Sequence, residues 1–573
     1  MADKGSTQNV LHVIPDSIEQ LKDCLEKAQQ GNRIAIPTEG SAEDSLAHRI
    51  SPAEKITIVD ISFLKKDDIK WIIHRFKKAI ENNPPVWIET FRNWGQTQTI
   101  PVIASVPMTL DQLKRLLKVA SEEKLSVRCA GSGHSWSPIF SDRNNVLIYM
   151  ENIKSDYEDG SRIRISPGTV NHVDVMAGVT TRQFKEFQLE KKLNIPANVI
   201  LEVVQMISVV ATGCHGVGYD VKAPSDYVVK MRIMDAKGNL KTFQRDDNKM
   251  FKAIQANFGC FGVIYDMTIE LKQQDIVKVE NQYRKLKDIF YDVEQLNTLF
   301  EENMSVELFW FPFNSKRSNV TYNPDDDEVW VRVINKVGNG ENVEIKQKDY
   351  YNRKDSIDLI SEESLYLMSP TLAENPSITP LFSWSSFTML KNLIYPTDPI
   401  HQELPNAVHF RQHIRMAPMY DMEFAFDLKN YQQVKKIIEV VVLKVQRYKE
   451  KGKYPLNIAL EMRMMGYSDA LLCPASIGNP AYNGSRHVLY VEVTSVVHTD
   501  EWEQFCQEVA LEWMKLDGVP HLAKQWDFIP GINKHINERM KGQIDEFKEQ
   551  LKKSECDPDG MFLNETLKKL LQL

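Results

Sequence analysis

The stretch Leu125-Ser126-Val127-Arg128-Cys129-Ala130-Gly131-Ser132-Gly133-His134-Ser135-Trp136-Ser137 decides how this chain is read. Its first six residues make a short strand that runs directly into a loop of small residues. Small residues in succession at a strand end let backbone N–H groups turn toward one centre, a nest suited to a phosphate. A glycine turn after a strand is common, so the loop needs company before it means a ligand. It is not the dinucleotide fingerprint of a Rossmann unit: Trp136 stands where a third glycine would fall, and no helix opens on the loop.

Upstream, residues 109–124 carry Leu110, Leu113, Leu117 and Ala120 at helical spacing, and Thr109 with Gln112 forms a capping box. The character of the chain changes at Phe91-Arg92-Asn93-Trp94-Gly95, where a domain is expected to start. Downstream come strands at 146–150 and 162–165, and a helix boxed by Thr180 and Gln183. A strand at 227–234 then turns at Lys237-Gly238-Asn239 and returns over 240–244. Helices and strands are mixed, which predicts an α+β fold rather than a strict parallel βαβ series. Two further glycine runs follow, Ala211-Thr212-Gly213-Cys214-His215-Gly216-Val217-Gly218 and Gly259-Cys260-Phe261-Gly262-Val263-Ile264. Three such loops in one half of the chain suit an elongated ligand with phosphates and ring systems, because glycine lets a ligand approach the backbone closely.

The remainder sets bounds. At 573 residues, a prior of about 150 residues per domain allows three or four units. With 42% hydrophobic and 26% charged residues, the composition is that of a globular protein. A net charge of −8 offers no footprint for nucleic acid. Seven cysteines, odd in number and without a CxxC pair, fit neither a disulfide framework nor a zinc site. His409 and His413 stand four apart without an acid at metalloprotease spacing, so no metal is expected. The basic stretch at 75–78 reads as a solvated helix face. The N-terminus has no signal-peptide pattern, and no run of about 18 apolar residues could span a bilayer, so no integral membrane segment and a cytoplasmic location are expected. Residues 1–90 alternate helical patterns with β-branched runs at 33–37 and 55–59, and form an extension of unknown role. Beyond 275, strand-like runs at 306–313 and 329–334 precede a charged, loop-rich stretch at 335–400. A helix is expected over 532–551, followed by a turn at Asp557-Pro558-Asp559-Gly560 and a short final helix.

Taken together, the three glycine runs resemble the FAD-binding half of the vanillyl-alcohol oxidase superfamily, the PCMH type, and within it most closely the aldonolactone oxidases. Asn93-Trp94-Gly95, residues 306–312, Pro520-His521-Leu522-Ala523-Lys524 and residues 557–564 carry the resemblance through the second half. It implies a PCMH-type FAD-binding domain at 91–275 and a substrate cap at 276–573 whose C-terminal segment returns to the flavin. It implies FAD held by Ala130, Gly131, Ser132, Gly133, His134, Ser135, Ser137, Thr212, Gly213, His215, Gly216, Gly262, Val263 and Ile264. His134 corresponds to the histidine often joined to the flavin 8α position. Relatives with a doubly linked flavin use a downstream cysteine, and none lies between Cys129 and Cys214, so a single bond is expected.

Ala459-Leu460-Glu461-Met462-Arg463 resembles the family's Glu-x-Arg strand. Two residues apart on a strand, Glu461 and Arg463 share a face, so an acceptor and a fixed cation converge on a polyol. Lys524 resembles the family lysine after a Pro-His pair, although Leu522 and Ala523 replace the usual aromatic and glycine. Alcohol oxidation needs a hydride acceptor, a proton acceptor and positive charge near the developing negative charge. Lys524 and Arg463 supply the charge; Glu461 orients a hydroxyl and His521 is a candidate proton acceptor, and the sequence does not assign which of these takes the proton. The implied reaction is oxidation of a sugar lactone, with molecular oxygen as acceptor and ascorbate or an analogue as product. Two alternatives stay open: oxidation of another sugar, alditol or 2-hydroxy acid, and a non-catalytic scaffold.

Overall fold

The computed structural model describes residues 86–573 apart from 247, 316–321, 339–342, 347 and 411–416, together with three short N-terminal strands. Those strands, Leu11–His12, Ile34–Pro37 and Ile56–Val59, form a small sheet with Ile34–Pro37 in the middle. Both β-branched runs are therefore strands, while the basic stretch at 75–78 and His413 lie outside the described residues.

The loop-bearing strand, Val127–Ala130, closes one edge of a four-stranded sheet ordered Val86–Arg92, Thr99–Ser105, Val146–Tyr149, Val127–Ala130. This sheet starts at Val86, inside the stretch assigned to the extension, because Val86–Arg92 pairs antiparallel with Thr99–Ser105 along its whole length. The helix Leu110–Glu122 buries Leu113, Leu116, Leu117 and Ala120 in one cluster with Ile103, Val127, Val146 and Ile148. Thr109 caps it as expected, but Gln112 Oε1 accepts from Met108 N–H, so the reciprocal arm lands one residue early. At the helix Thr181–Lys191 the box is complete.

A five-stranded antiparallel sheet follows, ordered Leu240–Gln244, Val228–Met234, Val263–Glu270, His172–Met176, Ile163–Ile165. The cap is an eight-stranded antiparallel sheet whose central strands are Glu328–Lys336, Ser305–Trp310, Ala459–Gly466, His487–Val496 and Met419–Asp427. Its first strand in sequence begins at Ile276. The C-terminal segment returns to the first sheet: Val127 N–H donates to Met561 O at 2.8 Å, and Asn564 Nδ2 donates to Pro138 O at 2.8 Å. Arg128, buried beneath the loop, donates to the carbonyls of Ile139, Phe140, Phe258 and Phe562, so one guanidinium ties four segments together.

Two expectations need correction. The stretch at 335–400 is chiefly helical, with helices Lys348–Glu374 and Thr379–Met389 and a π-helical turn Leu390–Ile394. Its helices bear apolar residues on more than one face, which erases the one-sided periodicity that marks a helix in sequence. The helix expected over 532–551 is two, Ile532–Arg539 and Lys541–Ser554, broken at buried Met540, whose backbone (φ −107°, ψ 24°) leaves the helical region. Among the described residues no helix is long and apolar enough to cross a membrane.

Candidate active site

A cavity of about 490 Å³ lies between the two halves, walled by the first glycine loop, the segments around 204–215 and 258–264, the cap sheet and the helices of 361–394. Ala130, Gly131, Ser132, Gly133, His134 and Ser135 all face it, as do Thr212, His215, Gly262 and Ile264. Gly262 adopts φ +136°, and a Cβ there would stand 2.3 Å from Met234 O, so only glycine fits. The loop is pinned from outside: Trp94 N–H donates to Gly133 O at 2.8 Å and Asn93 Nδ2 to Ser135 O at 2.8 Å. A Cβ on Gly95 would lie 2.4 Å from the Trp136 indole, which gives Asn93-Trp94-Gly95 its physical meaning. His134 stacks on Trp94, ring centroids 4.7 Å apart.

The other wall is built from charge. Across three neighbouring strands of the cap, Glu461 pairs with Glu492, and Glu492 pairs with Glu423, three carboxylates in one row. Like charges directly opposite on a sheet repel, and all three are buried. Two cations hold the row together. Glu492 Oε2 accepts from Arg463 Nη2 at 2.7 Å, and Glu492 Oε1 accepts from Lys524 Nζ at 2.6 Å. Arg463 also reaches Glu461 at 3.3 Å, while Lys524 binds Asp421 and lies 4.4 Å over the Trp136 ring. Burial pulls Lys524 toward neutrality, but Asp421, Glu492 and Glu423 overcome it and hold its pKa above the ordinary lysine value. Arg463 is likewise raised against burial by Glu461, Glu492 and Glu423. Burial and the charge of Glu492 push the Asp421 carboxyl well above the usual range, against the opposing pull of Lys524. Glu423 goes the other way: burial raises it, but His215 opposes this and leaves it at about 2.

The histidines are fixed by their partners. His215 Nδ1 lies 3.0 Å from Gly216 O, a pure acceptor, so it bears a proton. Its Nε2 lies 2.9 Å from Glu423 Oε1, and the ring stacks on Tyr490 at 3.6 Å. His521 Nδ1 accepts from Ala523 N–H at 3.2 Å, so the neutral ring carries its proton on Nε2. Burial lowers its pKa to about 3, and with Nδ1 engaged the ring offers Nε2–H to its surroundings. His215, Glu423 and His521 bring ligand atoms within 4.8 Å of one another. Metal at His521 Nε2 would have to strip its proton while Nδ1 stays occupied, and Arg463 stands 3.9 Å from Glu423. The trio therefore suits hydrogen bonding better than a cation.

The structure brings Glu461, Arg463, Lys524 and His521 together on the cavity wall. Ser137, Gly213, Gly216 and Val263 lie behind it. Ser137 is fully buried and its Oγ donates to Leu522 O at 2.6 Å, stitching the loop to the C-terminal motif. Gly213 packs on Cys473 and Gly216 on Asn198 O, close approaches that shape the segment. Val263 opens the strand Val263–Glu270. Leu522 is 1% exposed in the core, and its carbonyl also accepts from Trp526 Nε1 at 2.9 Å. Sequence reasoning does not find Asp421, Glu423 and Glu492. The signal that could have found two of them is a lone acid in an apolar strand, Met422-Glu423-Phe424 and Val491-Glu492-Val493.

Comparison with known proteins agrees with this architecture. Residues 267–570 match the family model described as D-arabinono-1,4-lactone oxidase, and residues 101–244 match that of an FAD binding domain. The chain belongs to the D-arabinono-1,4-lactone oxidase family. This is a family of FAD-dependent oxidoreductases within the vanillyl-alcohol oxidase superfamily. L-gulono-1,4-lactone dehydrogenase of Mycobacterium tuberculosis is 22% identical over 85% of this chain and 99% of its own length. Mitochondrial L-galactono-1,4-lactone dehydrogenase of Brassica oleracea is 23% identical over 42% of this chain, a match spanning 38% of that relative. Among solved structures, cholesterol oxidase from Brevibacterium sterolicum superposes with a TM-score of 0.70 at 17% identity, over 86% of this chain and 98% of its own. That likeness shows the fold, α+β and PCMH-type, as the glycine loops implied.

Proposed function

We propose that this family member oxidises a CH–OH group of a sugar-1,4-lactone of the gulono- or arabinono-lactone type, using FAD joined through His134. One observation carries the reading: Glu461, Arg463 and Lys524 converge on the same cavity that the glycine loops wall. The residues present fit the cofactor, since Gly131, Gly133, Gly259 and Gly262 line the cavity with backbone that carries no side chain. The residues proposed to hold it are Ala130, Gly131, Ser132, Gly133, His134, Ser135, Thr212, Gly262 and Ile264. Bound there, FAD would supply a two-electron acceptor for the hydride leaving carbon, with dioxygen as the final acceptor and hydrogen peroxide as the by-product.

The protein's own groups do the rest. Arg463 and Lys524 stabilise negative charge as the hydroxyl proton leaves. Glu461, facing the cavity beside Arg463, takes that proton. Of the other buried acids, Asp421 and Glu492 are tied to Lys524 and Glu423 to His215 at 2.9 Å, whereas the Glu461–Arg463 contact is a longer 3.3 Å. The product is the 2-oxo lactone, which enolises to ascorbate or an analogue. His134 faces the cavity from a pinned loop, which supports the covalent link.

The visible spectrum of the purified protein before and after acid precipitation tests the cofactor: yellow colour is expected in the pellet, and His134→Ala should release it to the supernatant. Anaerobic mixing with gulono- or arabinono-1,4-lactone should bleach the flavin, and readmitted oxygen should restore it with one equivalent of peroxide. Bleaching without peroxide would replace oxygen with another acceptor, and no bleaching by any lactone or polyol would end the reading. Cell fractionation checks the cytoplasmic placement that accompanies it.

A further inference from the structure

The cavity wall continues past Glu461 through Ala459 and Ile458 to the helices Lys348–Glu374 and Thr379–Met389 and the turn Leu390–Ile394. At this end its character changes. Phe311, Leu365, Phe382, Met389, Leu390 and Ile394 face the space. Leu390, with Phe311 and Ile394 packed against it, belongs to an aromatic cluster with Phe309, Trp330, Phe387 and Tyr395.

A sugar ring bound along such a wall would need convergent donors and acceptors, because each hydroxyl taken from water without a partner costs about 1–3 kcal/mol. The polar groups of this wall are largely engaged by the protein already. Tyr395 Oη donates to Phe410 O at 3.1 Å, and Ser364 Oγ donates to Ile360 O at 2.8 Å. Asn457 Nδ2 donates to Thr499 Oγ1 at 2.8 Å, and its Oδ1 accepts from Ser495 Oγ and Val496 N–H. Ser361 and Glu362 also have partners within the protein. This end offers in addition apolar surface and the hydroxyls of Ser383 and Ser386, with the Glu362 carboxylate at its margin.

The same helices also carry exposed apolar side chains. Among the described residues, six of the eleven exposed large hydrophobic side chains fall between 360 and 393, with Leu367 at 72%, Ile360 at 61% and Leu393 at 58% exposure. Surface apolar residues scattered singly are ordinary, but their concentration on the segment that roofs a cavity is not. A cavity wall with this apolar lining suits a ligand with an apolar part.

We propose that the substrate is amphiphilic: a hydroxylated ring at the Glu461–Arg463–Lys524 end, carrying an apolar tail that lies against Phe311, Leu365, Phe382, Leu390 and Ile394. The inference rests on the CH–OH oxidation reading for the ring and on the roof alone for the tail.

The test uses the FAD-loaded enzyme and an aldono-1,4-lactone with its 6-O-alkyl ethers from methyl to octyl, each below its micelle concentration. Kd is read from the perturbation of the flavin spectrum, and turnover from anaerobic bleaching. Kd should fall about fourfold per methylene over at least four methylenes, the effect of burying each CH₂. Leu365→Ser with Phe382→Ser should flatten that slope. A wild-type Kd that stays constant or rises with chain length overturns the proposal, without reliance on any variant. If Kd falls along the series while no member bleaches the flavin, the apolar subsite stands and the oxidation reading fails. Bleaching with a flat Kd keeps the oxidation reading and removes the apolar subsite.

Discussion

The glycine loops and the carboxylate row face one cavity, yet they are built from opposite materials. The loops use backbone: small residues, positive φ at Gly133, Gly259 and Gly262, and hydrogen bonds among neighbouring segments. The row uses buried charge: Glu461, Glu492 and Glu423 side by side on adjacent strands, with Arg463 and Lys524 as the fixed cations between them. A backbone cradle is limited by space. A row of like charges is limited by its counterions, so removing one cation should do far more damage than any change of shape.

Arg463→Met makes that contrast sharpest. The variant leaves Glu461 and Glu492 buried with half their compensation, and stripping one partner from a buried ion pair costs about 3–5 kcal/mol. Flavin reduction should slow by about 10²–10³, the effect of removing a donor aimed at developing negative charge. Urea unfolding and stopped-flow bleaching check the two effects, and a variant of wild-type stability would show that the row does not depend on its cations. Gly262→Ala breaks the other side. With φ at +136° and Met234 O 2.3 Å from the new Cβ, about 3 kcal/mol or more should be lost in backbone strain. The checks are thermal melting and bound FAD per chain.

The two regions also differ in how far the sequence exposes them. The loops are legible because their chemistry is local: Ala130-Gly131-Ser132-Gly133-His134 shows its conformation in five consecutive residues. Glu461 and Arg463 are legible because period two places both on one face. The row is not, since Glu423, Glu461 and Glu492 become neighbours only through strand order and register, and no local pattern encodes either. The helices of 348–394 escape for a related reason: with Leu365 turned inward and Leu367 outward, no single apolar face remains to be counted. Glu492→Gln tests whether the row is retained for chemistry rather than stability. Relief of repulsion against Glu461 and Glu423 offsets weaker bonds to Arg463 and Lys524, so stability should move by less than about 1 kcal/mol. Turnover should fall about tenfold or more as the two cations lose their common anchor, an order-of-magnitude step in barrier of about 1.4 kcal/mol. Unchanged turnover would make Glu492 a structural residue only.

Acid should act on the charged region through its neutral histidine. His521 has its pKa lowered to about 3 by burial, and His409, buried elsewhere in the fold, is lowered to about 3 as well. An unfolded histidine titrates near 6.5, so between about pH 6.5 and 3 the unfolded state binds a proton at each site that the folded state refuses. Stability therefore falls with falling pH, by about 1.4 kcal/mol per unit for each histidine. Glu423 adds a loss only lower, as pH drops from the ordinary glutamate value near 4.3 through about 2. His521→Asn should remove one histidine's slope between pH 6.5 and 4.5 while leaving that of His409, which urea midpoints across the range would show. An unchanged slope would mean that His521 titrates normally.

The smallest effect returns to the cradle and separates shape from contact. Gly133 sits at φ +73°, but a Cβ there meets nothing nearer than Trp94 N at 3.7 Å, so the protein itself has room for it. Gly133→Ala should therefore cost only the left-handed conformation, about 1 kcal/mol in the cofactor-free protein. If FAD lies against this backbone, the added methyl also intrudes on the cofactor, and FAD-bound protein should lose more stability than cofactor-free protein. Melting both forms of the same variant reads the difference directly. Equal losses would place the cofactor away from Gly133 and leave the loop as a turn, while an excess loss in the bound form would make glycine a requirement of the ligand rather than of the fold.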